Sequence, residues 1–455
     1  MRRRPFIAAM LPAGLALRAA ATPSASVASN PPAGLPGRSM LSAAESPPAA
    51  TLSASTSTSR STAGATAQGE PHPSDHAAPI DATPPAAADP PPALGVTHRA
   101  LRFPADHAAH PDTHVEWWYV TGWLRSASNA DASEAGAASR IDKPPEFGFQ
   151  VTFFRTRTGF GEQSASRFAA RQLVFAHVAL TDLGASGSGS GLMHDQRAAR
   201  EGFGFVRTPA ASGTQVVQLR DWSLSRAATP PGAAPLPSAL RIDVRSDRFA
   251  LALALQGTQP LLLQGDAGYS RKGPLPQQAS HYYSEPQLAV RGRVERAGVP
   301  AREVVGRAWL DHEWSNEYLP PEAVGWDWVG FNLLDGSALM AFRIRRADGS
   351  AMWAGGSFRN AEGMLRVFEA TEVAFRPLRR WKSPRTQADY PVEWQLDTPA
   401  GRFRISALQD DQELDSRAST GSLYWEGLSA LRRDDGQVTG WGYLELTGYA
   451  DRLRL

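Results

Sequence analysis

The chain has 455 residues, with 47 Lys and Arg against 45 Asp and Glu, a formal net charge of +2. That near-balance excludes the basic stripe of a dedicated nucleic-acid binder, and the absence of cysteine excludes disulfides, thiolate metal centres and cysteine nucleophiles. No apolar run reaches the length of about eighteen residues that an ordinary membrane-spanning helix needs.

Arg2, Arg3 and Arg4 lead into a modest apolar stretch from Phe6 to Leu17, followed by Ala19, Ala20 and Ala21. Charge, apolar core and small residues in that order read as a secretory signal over 1–21; Arg3-Arg4-Pro5-Phe6-Ile7 also fits the twin-arginine type. A periplasmic or secreted protein is expected. Residues 22–95 are dominated by Ala, Pro, Ser and Thr. Such a segment buries too little apolar surface to offset its ordering entropy, so a disordered tether is expected there. All 13 Trp lie at Trp117 or beyond.

From residue 96 onward the chain reads as strands. Phe147, Phe149, Val151 and Phe153 alternate with Gly148, Gln150, Thr152 and Phe154. Phe249, Leu251, Leu253 and Leu255 do the same, as do Phe403, Ile405 and Ala407. Period two means half-buried strands. Asp335-Gly336, Asp348-Gly349 and Asp435-Gly436 each separate two such runs, 326–334 from 338–345, 338–345 from 351–358, and 423–431 from 438–447. Asp-Gly between alternating runs signals a hairpin, because a type I′ turn needs positive φ at both central positions. Successive hairpins make a meander, and a long meander closes into a barrel to remove its edges. An all-β fold of two consecutive barrels, 96–290 and 291–455, is expected. The Ala-, Ser-, Gly- or Pro-rich segments 126–145, 184–191 and 227–238 read as surface excursions.

Several strands pair aromatic with ionisable residues. In His114-Val115-Glu116-Trp117-Trp118-Tyr119, Val115, Trp117 and Tyr119 share one face, and His114, Glu116 and Trp118 the other. His177 falls on the face of Leu173, Phe175 and Ala179, where a hydrogen-bonded core histidine is the plainer reading. In His281-Tyr282-Tyr283 the two tyrosines point oppositely and suit a pocket wall or a domain contact equally. Trp309-Leu310-Asp311-His312-Glu313-Trp314 is the densest motif. It sets Asp311 and Glu313 on one face and His312 with Trp314 on the other. An imidazole beside a large apolar wall suits proton transfer next to a greasy substrate, provided a carboxylate from elsewhere orients it. A buried charge network between the barrels would use the same residues. Trp326 and Trp328 share a face opposite Asp327, and Tyr443, Glu445 and Thr447 share another; Glu426 follows Tyr424-Trp425. There is no His-Glu-x-x-His, nucleophile elbow, Walker loop or dinucleotide fingerprint, so no metal or other cofactor is expected.

Together these segments resemble the AttH/CrtC superfamily of lipocalin-like proteins, across about residues 96–455. The resemblance implies two lipocalin-like β-barrels, and hydratase- or hydrolase-type chemistry on apolar isoprenoid or lipid-like molecules. In the carotenoid hydratases of that group a His-x-Trp pair is implicated, and His312-x-Trp314 matches it. Their Tyr-x-Asp pair has no counterpart, the corresponding stretch being Leu339-Met340-Ala341-Phe342. The expected catalytic groups are His312, Asp311, Glu313, Asp327 and Glu445. The expected ligand-binding groups are Trp314, Trp326, Trp328, Tyr282, Tyr283, Glu116, Trp118, His177, Glu426 and Tyr443. The alternative is a non-catalytic lipid carrier or an accessory subunit of an ABC-type membrane transporter.

Overall fold

The computed structural model describes residues 95–127, 144–159, 162, 164–185, 191–202, 206–207, 216–227, 238–317 and 319–453. The signal over 1–21, the tether up to residue 94 and most of the three excursions lie outside the described residues.

Among the described residues, two antiparallel sheets make up the fold, with one short 3-10 turn at Ala105–His107. The first has thirteen strands. Its main path runs Leu192–Arg200, Gln172–Asp182, Phe147–Arg157, Val115–Ser126, Val299–Ser315, Ala279–Arg296, Phe249–Gln256, Ala239–Arg245, Trp222–Arg226, Val216–Leu219, Val206–Arg207. It curls into a nearly closed barrel. At the seam Arg197 lies 3.9 Å over the Trp222 ring and pairs with Asp221. The second sheet has ten strands, with the main path Leu365–Phe368, Ala351–Arg359, Ala338–Arg346, Ala323–Leu333, Val438–Thr447, Ser422–Arg432, Gly401–Ala407, Asp389–Thr398, Ala374–Lys382. All three Asp-Gly hairpins form where expected, but not as type I′ turns: Gly336, Gly349 and Gly436 have φ of +90°, +82° and +82°, whereas Asp335, Asp348 and Asp435 stay at negative φ, so each glycine alone supplies the left-handed residue.

The division between the barrels differs from the expected cut. Residue 290 falls inside Ala279–Arg296, which pairs on both sides within the first sheet. The first sheet continues to Ser315 and the second starts at Ala323. Pro286 cannot donate to the ladder, and the strand absorbs it as an irregularity between Glu285 and Leu288 instead of ending there.

Because the sheets pack together, the strands Val115–Ser126 and Val299–Ser315 are covered on both faces. One face, with Trp118, Val120, Leu310 and Trp314, fills the first barrel. The other, with Tyr119, Trp123 and Trp309, packs against Trp328, Met340, Phe342, Leu428, Trp441 and Tyr443 of the second sheet. Gly148 permits this approach: a Cβ there would lie 2.7 Å from the Tyr443 hydroxyl and 2.9 Å from Leu428.

Candidate functional site

The expected site residues separate onto these two faces. On the inner face, His312 is fully buried, with Nε2 2.9 Å from Glu116 Oε1 and Nδ1 3.2 Å from the Tyr283 hydroxyl. His107 Nδ1 lies 2.8 Å from the same hydroxyl. Glu116 is the carboxylate from elsewhere in the chain that orients the imidazole; the pairing of Val115–Ser126 with Val299–Ser315 brings it there. It also accepts from Arg155 Nε at 2.8 Å and from the His110 backbone N–H at 2.9 Å, and lies 2.8 Å from His110 Nδ1. His110 stacks flat on Trp314 at 3.7 Å, and Trp118 stacks on His312.

Burial opposes charge on Glu116, but its bonds to His110 and His312 outweigh that and hold it well below the usual carboxylate range. Burial drives His312 down to about 4, against the pull of Glu116. His312 is therefore neutral, and its bonds imply an Nε2–H donating to Glu116 and an Nδ1 accepting from Tyr283. His110, Glu116 and His312 are the residues here that could gather round a metal ion. Their facing atoms are already joined at hydrogen-bond distance, and the Arg155 guanidinium holds the other Glu116 oxygen. The set fits a closed hydrogen-bond network better than a cation site.

His312, Glu116, Trp118, Trp314 and Tyr283 thus sit inside the first barrel. Asp327 is likewise an internal anchor. It is fully buried, and Arg343 Nε, Arg345 Nε and the Tyr449 hydroxyl donate to it at 2.6, 3.2 and 2.8 Å. Tyr443 lies deep in the packing between the sheets.

The other face opens into a cleft between the two sheets, enclosing about 1050 Å³ of empty space counted out to its mouth. Trp117, Tyr119 and Phe154 line it from the first sheet, Trp326, Trp328 and Phe342 from the second. Into this aromatic enclosure project Asp311, Glu313, Glu426 and Glu445, with Tyr282, His177 and Lys272 beside them.

Each carboxyl has a distinct setting. Asp311 accepts from the Tyr282 hydroxyl at 2.6 Å, the Ser284 hydroxyl at 2.5 Å and Trp309 Nε1 at 2.6 Å. Trp309 can only donate; the Tyr282 oxygen already accepts from Trp328 Nε1, and the Ser284 oxygen from Gln264. Burial pushes Asp311 up to about 7, and these three fixed donors favour its anion. Glu313 is paired with Lys272 at 2.9 Å and accepts from Ser280. Lys272 also lies 4.4 Å over the Phe342 ring.

Glu426 and Glu445 face each other across neighbouring strands. Burial pushes Glu445 up to about 8, against a hydrogen bond from Trp326. Burial and the Glu445 charge push Glu426 well above the usual carboxylate range too. Two like charges this close in an apolar site do not both ionise, so the pair holds protons at neutral pH. His177, across the cleft, is driven down to about 3 by burial; its ring nitrogens lie 2.7 Å from the Tyr424 hydroxyl and 2.9 Å from the Ser419 hydroxyl.

Sequence reasoning did not pick Trp117, Tyr119, Lys272 or Phe342. Trp117 and Tyr119 are on the opposite face of the strand that carries Glu116 and Trp118, so period two was the available signal. Lys272 had none, since it reaches the cleft from the short pairing of Tyr269–Arg271 with Ala279–Arg296.

The AttH-like family matches residues 95–449. Among solved structures, a protein of Nitrosomonas europaea described as an AttH is 46% identical, with a TM-score of 0.66 over 78% of this chain and 98% of that one. Kievitone hydratase from Nectria haematococca gives a TM-score of 0.54 over 77% of this chain and 94% of its own, at 15% identity. At that identity the likeness speaks for the shared lipocalin-like fold. No curated protein matches the chain.

Proposed function

This chain belongs to the AttH-like family, and on that footing we propose that it binds an elongated, largely apolar small molecule in the inter-sheet cleft and performs acid–base chemistry on it. The carrying observation is the carboxyl pair Glu426 and Glu445, kept protonated by burial inside an aromatic enclosure. A carboxylic acid in a dry pocket is the donor that protonation of an alkene requires, and facing indole and phenyl rings stabilise the cation formed. In a hydration, the Glu445 proton passes to one alkene carbon as the π bond breaks. Water attacks the other carbon, and its surplus proton returns to the Glu445 carboxylate. Asp311 orients Tyr282 and, through it, Trp328. A fold shared with an enzyme named a hydratase supports the reading. The role expected for His312 passes to Glu445, because Glu445 lines the cleft and His312 does not.

The test is incubation with an isoprenoid and polyene panel in H₂18O, read by mass spectrometry. Product carrying one 18O with wild type, absent with Glu445→Gln while binding persists, supports the reading. Binding without turnover in wild type favours the carrier or transporter-accessory role. Export to the periplasm is part of the proposal and rests on the pattern of residues 1–21.

A further inference from the structure

Most polar groups that face the cleft are satisfied by the protein itself. Asp311 has three donors, Glu313 has Lys272 and Ser280, and His177 has Tyr424 and Ser419. Two deep atoms break this pattern. The Tyr119 hydroxyl and Glu426 Oε1 are both buried and have no hydrogen-bond partner. The two side chains approach each other, near enough for each to shift the other's ionisation through a hydrogen-bond-type contact, but out of good hydrogen-bond geometry, and both line the cleft. The half-buried Glu317 Oε2 is unpartnered as well. Buried polar atoms are normally paired, so a deep unpaired donor beside an unpaired carboxyl oxygen is a receptor for a polar atom supplied from outside.

We infer that the cleft's ligand carries an oxygen, as a hydroxyl or carbonyl, that seats from the cleft side against both the Tyr119 hydroxyl and the Glu426 carboxyl, so that the preferred class is an oxygenated apolar molecule and not a pure hydrocarbon. A hydroxyl accepts from Tyr119 and donates to the Glu426 oxygen. A carbonyl accepts from Tyr119 and from the protonated carboxyl. A hydrocarbon covers both groups and leaves them unpaired, which costs about ten- to a hundred-fold in affinity. This rests on the reading of the cleft as a ligand site.

The experiment measures binding of two matched pairs, farnesol against its deoxy hydrocarbon and retinol against its deoxy hydrocarbon, by quenching of the cleft tryptophans. The expected result is at least tenfold tighter binding of each alcohol. Tyr119→Phe should shrink that gap by weakening the alcohol alone, with hydrocarbon affinity unchanged. Glu426→Gln, which keeps an acceptor and a donor, should retain most of the gap. Equal affinity within both pairs, or a gap that survives Tyr119→Phe, overturns the inference while leaving the cleft a ligand site. Failure of all four molecules to bind removes the cleft reading, and the inference falls with it.

Discussion

Glu116→Gln separates a structural network from a catalytic one. Glu116 and Arg155 are both fully buried and joined at 2.8 Å. The substitution keeps the shape of the side chain but removes the only carboxylate that Arg155 pairs with among the described residues. A buried ion pair broken on one side leaves an uncompensated charge, at a cost of about 3–5 kcal/mol. The new amide N–H₂ also faces an N–H donated by His312, so one of the two remains unpaired, adding about 1–3 kcal/mol. Urea unfolding followed by tryptophan fluorescence should show a lower midpoint at unchanged slope, corresponding to an unfolding free energy reduced by several kcal/mol. Ligand affinity of the folded fraction should stay near wild type, because Trp117 and Tyr119 leave the same strand on the opposite side. A Glu116→Gln protein with wild-type stability and no turnover would refute this reasoning and return His312 to the centre of the chemistry.

The pH dependence has a definite sign. Glu445 stands at about 8 when folded against an ordinary 4.5, so the folded state binds more protons in that window. Its neutral form suits the fold fully below 4.5, and the contribution is lost as pH rises through 8. Urea titrations across this window should show stability falling in wild type and falling less in Glu445→Gln. Asp327→Ala strands Arg345 without its buried partner and should cost about 3–5 kcal/mol, read by the same unfolding assay, with cleft binding intact. Gly148→Ala forces Tyr443 or Leu428 to move. It should destabilise the fold by about 1–3 kcal/mol and weaken ligand binding, since both sheets line the cleft; calorimetry checks both.

Much of this molecule is written locally. The strand runs, the Asp-Gly hairpins and the sharing of faces by Asp311 with Glu313, and by His312 with Trp314, follow from the two-residue period of an extended chain and the backbone demands of tight turns. Those effects reach only a few residues, which is why they are legible. The same period that groups His312 with Trp314 is silent about where that face points. Both faces of Val115–Ser126 and Val299–Ser315 are buried, one inside a barrel and one against the second sheet, so hydrophobicity marks neither as the ligand side. Pairing of strands distant in the chain decided it. The pairing of Ser422–Arg432 with Val438–Thr447 set Glu426 opposite Glu445, and the packing of sheet on sheet turned them into the cleft. Burial there raises their affinity for protons, and burial is a property of the assembled fold, which no stretch of the sequence carries by itself.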